Sequence, residues 1–410
     1  MASHCFPEAF AAWRALPGYS FSAAAGPLPA RVAGEVAAAC RPGPGTILSL
    51  PFTSAAYRSL QAETEACLRR LLAISDDFAV LFMAGGASAQ FALLPMNLLG
   101  EDGEAAAPRA LYLDSGHWSR RAIAEARRYG EVTVVGTDAR GEEQGEVDAD
   151  ALPGQACPVP AADGSPRLRI EVPAGRHAYA HFTSNETADG LRFAAWPEVA
   201  LPLAADMTSD LLTRPLDWTR LGLVYAGLQK TTGTPGLVLV IVRRALLGRA
   251  QGCTPRVHDY AALAAADSRL CTPPVLPVFV AHRMLHWIED EGGVPAMAAR
   301  LARRHTLLQA ALDDGNAHGG EYRQPIAPAW RSAVNPCFQL ADAASTAAFI
   351  TAAEAAGLRD LRGHPDVGGV RVSLYHGMAD SAVEALADFI VAHARRQAAP
   401  RARSVARAGA

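Results

Sequence analysis

The stretch PLAADMTSDLLTRPLDWTRLGLVYAGLQK, Pro202–Lys230, decides how this sequence reads. An apolar run of strand length, Ala200–Ala205, ends on Asp206. A second, Leu221–Ala226, ends on GLQK and so on Lys230. Two short apolar runs separated by a polar connection predict buried strands. Each delivers one ionisable side chain just past its end, a carboxylate and then an amine. Lys230 is the only lysine in the 410 residues. Elsewhere the chain uses Arg for positive charge. Arg stays protonated and cannot serve as a reactive amine, so this position asks for what only Lys offers.

The same pattern extends outward. Apolar runs occur at Phe78–Met83, Ala110–Leu113, Ala178–Phe182 and Leu237–Val242, with helical periodicity between several of them, as in Ser119–Tyr129. Alternation of this kind predicts an α/β fold: a large domain with a mostly parallel sheet, spanning 30–285. The segment 136–176 is rich in Gly, Pro, Asp and Glu and reads as a partly ordered surface insertion. Residues 286–396 read as a smaller C-terminal α+β domain. It has helices at Arg300–Leu312 and at Ser381–Arg396, where Ser381 and Glu384 form a capping box, and strands at Cys337–Leu340 and Val370–Tyr375. Residues 1–29 are expected to pack with the small domain, and 397–410 to form a disordered tail.

Composition narrows the function classes. Half of the residues are hydrophobic, 19% are charged and the net charge is -3. Nothing here predicts a nucleic-acid or membrane partner. No apolar run suffices to span a bilayer, and no secretory signal opens the chain. Seven scattered cysteines without CxxC spacing argue against a disulfide framework or a zinc site and for reduced thiols in a cytoplasmic protein.

In parallel α/β sheets, ligands bind beyond the carboxyl ends of the strands. Here those ends carry AGGAS, DSGHWS, TSNET, Asp206 and Lys230. They offer backbone N–H groups at a helix start, an aromatic plate in Trp118, hydroxyls, a carboxylate and an amine. Each has a bland explanation alone: a turn, a core aromatic, a helix cap, a solvated loop. Together they meet the needs of pyridoxal 5'-phosphate (PLP). Its aldehyde needs a lysine, its pyridine nitrogen a carboxylate, its ring a flat neighbour, and its phosphate N–H donors such as those of Ala87 and Ser88.

The stretches FMAGGASAQFALLPMNLLG, YLDSGHWSRRAIAEARRYG, HFTSNETADG, Pro202–Gly236 and GHPDVGGVRVSLYHGM carry a resemblance. From about Phe21 to Ala394 the chain resembles the phosphoserine aminotransferases, class V aminotransferases of PLP fold type I. The resemblance implies that Lys230 binds the cofactor covalently, Asp206 pairs its ring nitrogen, Trp118 stacks on the ring and Thr187 meets the ring hydroxyl. It places Gln229, Thr208, Ala87 and Ser88 around the phosphate. It implies a homodimer with shared active sites, in which Thr272 serves the partner's phosphate site; the family's Asn before it is Cys271 here. Arg371 falls where the family holds the substrate α-carboxylate. The family grips the substrate phosphate with two His-Arg pairs. Phe52 and Thr53 stand at the first here, His364 and Pro365 at the second. Two lost guanidinium contacts cost roughly 1.5–3 kcal/mol each, about 100-fold or more together.

The expected activity is therefore amino-group transfer between an L-amino acid and a 2-oxo acid, with glutamate and 2-oxoglutarate as one pair and a substrate other than phosphoserine. Three alternatives stay open: a phosphoserine aminotransferase with a remodelled loop, another PLP reaction such as a lyase or a desulfurase using Cys337 or Cys271, and a non-catalytic PLP-binding or structural protein.

Overall fold

The computed structural model describes residues 18–43, 45–100, 108–137, 156–160 and 166–408. Its centre is a seven-stranded sheet. In chain order the strands are β1 (Phe78–Gly85), β2 (Arg109–Asp114), β3 (Val132–Gly136), β4 (His177–Thr183), β5 (Leu203–Asp206), β6 (Leu221–Gly227) and β7 (Gly236–Arg243). They lie side by side as β1-β7-β6-β5-β4-β2-β3. Every pairing is parallel except those of β7, which runs antiparallel to both β6 and β1. Strands β6 and β7 are almost continuously apolar because both faces of the sheet are covered.

One face packs against the helices Ala55–Leu72 and Val275–Asp290 through Leu68, Leu72, Met284 and Ile288. The other packs against Gln90–Leu98 and His117–Ala126 through Phe91, Leu94 and Ile123. A third core, around Phe338, Phe349, Leu386 and Ile390, belongs to the small domain. Phe21 lies in it, and Tyr19–Ser20 pairs in parallel with Leu358–Arg359.

Several expected boundaries move. β5 begins at Leu203 because Pro202 has no N–H to donate to a ladder. β3 lies at the sheet edge, just before the insertion, and was not anticipated from the sequence. The segment 136–176 contains an antiparallel hairpin, Ala156–Pro160 with Pro166–Ile170; residues 138–155 lie outside the described set. Leu168 and Ile170 are buried in the large core, so part of this insertion is an integral strand. The domain boundary at 285/286 cuts the helix Val275–Asp290. The crossover lies further on, in the helix Gly293–Ala317, where Val294 and Met297 join the large core and Leu301 and Leu308 the small one. The last helix spans Asp380–Ala408, so Ser381 sits in its first turn, where it accepts a hydrogen bond from Tyr19. The backbone expected to be disordered from 397 continues this helix, consistent with the helix propensity of Ala and Arg.

Candidate active site

The strand ends converge on a cavity of about 380 Å³. β1 ends on Gly85 and Gly86, above which an added Cβ would meet nothing within 4 Å. A short 3-10 turn, Ala87–Ala89, then leads into the helix Gln90–Leu98, and Gly86, Ala87 and Ser88 line the cavity. Gly227 closes the same wall from β6. A Cβ there would stand 2.7 Å from Gln229 Oε1 and 3.4 Å from the Ala87 nitrogen, so glycine lets the two segments approach.

Trp118 lies in the first turn of the helix His117–Ala126. Its backbone N–H donates to Glu186 Oε2 at 2.8 Å, and that of Ser119 donates to Glu186 Oε1 at 2.9 Å. A fully buried carboxylate from the neighbouring strand end thus satisfies the open N–H groups of this helix. The Trp118 indole N–H donates to the Thr187 hydroxyl at 2.8 Å, which fixes the ring plane against the cavity.

Asp206 ends β5 and is buried. Its Oδ1 accepts the Thr208 N–H at 2.9 Å. Burial raises its pKa, while hydrogen bonds from Thr208 and the charge of Lys230 oppose the rise. Lys230 lines the same cavity, with Nζ 5.5 Å from the Trp118 ring centroid. Burial brings its amine down to about 8, against the pull of Asp206. An amine so placed is largely neutral above about pH 8, the form that attacks a carbonyl carbon.

The small domain supplies the opposite wall. Arg371 lies on the strand Val370–Arg371 and donates from its guanidinium to the Thr187 carbonyl at 3.2 Å. His364 lines the cavity beside it, on the loop 363–369. Its ring stands 4.1 Å from that of His117, and burial holds both imidazoles below their ordinary range. At the cavity wall Asn185 donates to Asn335 Oδ1 of the small domain and to Ser209 Oγ of its own, both at 2.8 Å, and the first of these buried bonds ties the two domains.

The cavity therefore brings together Lys230, Asp206, Trp118, Thr187, Gln229, Thr208, Ala87, Ser88, Arg371 and His364. Phe52, Thr53 and Thr272 do not line it. Phe52 packs against the large core and Thr53 is exposed, because Ser54 caps the helix Ala55–Leu72 and Arg58 donates to the Thr53 carbonyl at 2.7 Å. Thr272 is exposed as well, and Cys271 beside it is free. Cys337 lies outside the cavity, paired with Arg371 in a strand, and burial pushes its thiol up to about 12. The sequence reading missed Ala23 and Ala24, which close the cavity from the N-terminal segment, and also Thr183, Asn185 and Ser209. Gly26 donates to the Gln229 carbonyl at 2.8 Å, and a Cβ on it would collide with the Lys230 carbonyl.

The class-V aminotransferase family model matches residues 175–386. A phosphoserine aminotransferase of Pseudomonas aeruginosa is 40% identical over 346 residues, covering 84% of this chain and 88% of that protein. One from Laribacter hongkongensis is 38% identical over 381 residues, covering 92% and 99%. The chain belongs to the phosphoserine aminotransferase family. The solved phosphoserine aminotransferase of Bacillus circulans subsp. alkalophilus superposes with a TM-score of 0.80 at 32% identity, covering 93% of this chain and 99% of that one. That of Trichomonas vaginalis, described as PLP-bound, superposes with a TM-score of 0.77 at 30% identity, covering 91% and 99%.

The protein is thus a PLP-dependent transaminase acting on small amino and oxo acids. Its own residues fit the cofactor: a buried carboxylate and a half-buried amine share one cavity, and the Thr183 hydroxyl in its wall has no hydrogen-bond partner among the described residues. No helix among the described residues is long and apolar enough to cross a membrane.

Proposed function

We infer that Lys230 is the residue that carries PLP and that the enzyme moves an amino group between an L-amino acid and a 2-oxo acid, with glutamate and 2-oxoglutarate as one pair. The observation that carries this is the chain's only lysine, half-buried in the cavity that also holds Asp206, its amine over the Trp118 ring. PLP, when bound, withdraws electrons from the substrate Cα. Asp206 holds a positive charge on the ring nitrogen. Trp118 and Thr187 fix the ring plane. Ala87, Ser88, Thr208 and Gln229 hold the phosphate. Arg371 offers its guanidinium to the substrate carboxylate. Lys230, once free, would take the proton from the substrate Cα as general base and deliver it to the cofactor C4′ carbon as general acid.

Substrate choice is inferred to differ from that of the named relatives. Among the described residues, Lys230 and Arg371 are the only Lys or Arg side chains lining the cavity, and both already have proposed roles. His364, beside them, is held toward its neutral form. Such a wall suits a side chain less charged than a phosphate ester. The rival reading, a phosphoserine aminotransferase of serine biosynthesis, is favoured by the relatives' names. Comparing kcat/KM for phosphoserine and for unphosphorylated amino acids with one keto acceptor separates them. A wide margin for phosphoserine rejects the altered specificity.

The enzyme is further inferred to be a cytoplasmic homodimer in which Thr272 serves the partner's cavity. Five free cysteines among the described residues and the exposure of Thr272 support this reading. Sedimentation of the holoenzyme tests the dimer, and a monomer at micromolar concentration rejects it.

A further inference from the structure

Two groups of metal-ligating side chains stand together among the described residues. In the first, Cys67, His286 and Glu289, the carboxylate is already gripped by Arg70 at 2.9 and 3.0 Å. Burial also pushes the Cys67 thiol up to about 12, away from the thiolate a metal needs.

The second group is His117, His364 and Asp366. His117 opens a helix of the large domain; the other two belong to the small-domain loop 363–369. His117 Nδ1 lies 3.3 Å from Asp366 Oδ2, and His364 Nδ1 lies 3.7 Å from the same oxygen. All three donor atoms fall within 4.8 Å of one another. Around a tetrahedral zinc ion with bonds of ~2.0–2.1 Å, donor atoms stand about 3.4 Å apart. The two measured separations bracket that spacing.

The loop turns tightly here, and the Asp366 N–H donates to His364 Nδ1 at 3.3 Å, a bond the ion would replace. The N–H groups of Val367 and Gly368 both donate to the His364 carbonyl, at 3.0 and 2.7 Å. Gly368 and Gly369 adopt φ of 77° and 72°, and a Cβ on Gly363 would stand 1.8 Å from the Gly368 carbonyl oxygen. A simple ion pair explains less. The Asp366 side chain is 67% exposed, where a pair contributes little, and one imidazole would suffice for it.

We propose that His117, His364 and Asp366 bind one divalent cation of the zinc class, which clasps the small domain to the large one beside the cavity. Two neutral imidazoles and one carboxylate leave the bound ion with net positive charge and a coordination position open. Because His364 also lines the cavity, the ion brings positive charge to that wall. The substrate reading above describes this wall without the ion, and the metal titration reads the site independently of substrate choice.

The test is titration of untagged holoenzyme with Co2+ or Zn2+ at pH 7.5, followed by the visible bands of Co2+ and by calorimetry. The expected result is one equivalent per chain with a tetrahedral or five-coordinate Co2+ spectrum. Affinity should fall at least about tenfold in His117→Asn and again in Asp366→Asn, and stay unchanged in Cys67→Ala. The PLP absorbance of each variant confirms that it has folded. No saturable binding at 100 μM metal (roughly -5.5 kcal/mol or weaker), binding unaffected by the first two variants, or binding lost in Cys67→Ala would each overturn the proposal.

Discussion

The indole N–H of Trp118 donates to the hydroxyl of Thr187 at 2.8 Å, joining two strand ends across the cavity. One bond thereby fixes the indole plane against the cavity, where the cofactor ring is proposed to lie. Thr187→Val removes the acceptor and keeps the shape. A neutral hydrogen bond contributes about 1 kcal/mol, so PLP affinity should fall roughly fivefold. Quenching of Trp fluorescence by added PLP measures it. Unchanged affinity would show that packing alone holds the indole.

Asp206→Asn should retain PLP yet lose most turnover. An amide cannot balance a positive ring nitrogen, and a charge-assisted bond of roughly 1.5–3 kcal/mol predicts a loss of about 10- to 150-fold. Near-normal turnover with PLP bound removes the role from Asp206.

Arg371→Ala should weaken every α-carboxylate substrate alike, by about the same factor, with the loss in KM before kcat. The motivation is its place in the cavity wall, where its guanidinium also meets the Thr187 carbonyl. An apparent affinity unchanged across amino donors places its function elsewhere.

Lys230 offers a direct pH measurement, since the only other amine is the N-terminus. Burial lowers its pKa to about 8, so its neutral form dominates only above that pH. In apoenzyme, trinitrophenylation of the Lys230 peptide should be half-maximal near pH 8, rising tenfold per pH unit below it and levelling above. A rate still climbing tenfold per unit beyond pH 9.5 would mean the amine is solvated.

Phe52→His, Thr53→Arg and Pro365→Arg together should raise phosphoserine activity at least about tenfold, by rebuilding two charge-assisted contacts. Phe52 and Thr53 lie outside the cavity of their own chain, so a gain also requires a second copy to present them. No gain, in a variant that keeps its activity on other amino acids, contradicts both points.

The large sheet was legible because six of its strands end within two residues of where their apolar runs end. β3 was not, since a five-residue edge strand adjoins a polar insertion and carries little pattern. The chemistry at the strand ends was legible for the same reason: Asp206 follows its apolar run directly, and Lys230 comes four residues after the end of its own. Ala23, Ala24 and Glu186 were harder to see. The alanines matter by closing the cavity from the N-terminal segment, a role that small apolar side chains do not announce. Glu186 acts by capping a helix distant in sequence. The positions of Phe52 and Thr53 follow from the local cap at Ser54, not from the motif they align with.

The central claim is that Lys230 bears the cofactor. Borohydride reduction of the holoenzyme, followed by peptide mapping, tests it most directly. The account predicts one reduced pyridoxyl adduct, on the peptide containing Lys230, and no turnover in Lys230→Ala. Cofactor released unmodified from every peptide, or wild-type turnover in Lys230→Ala, would contradict it.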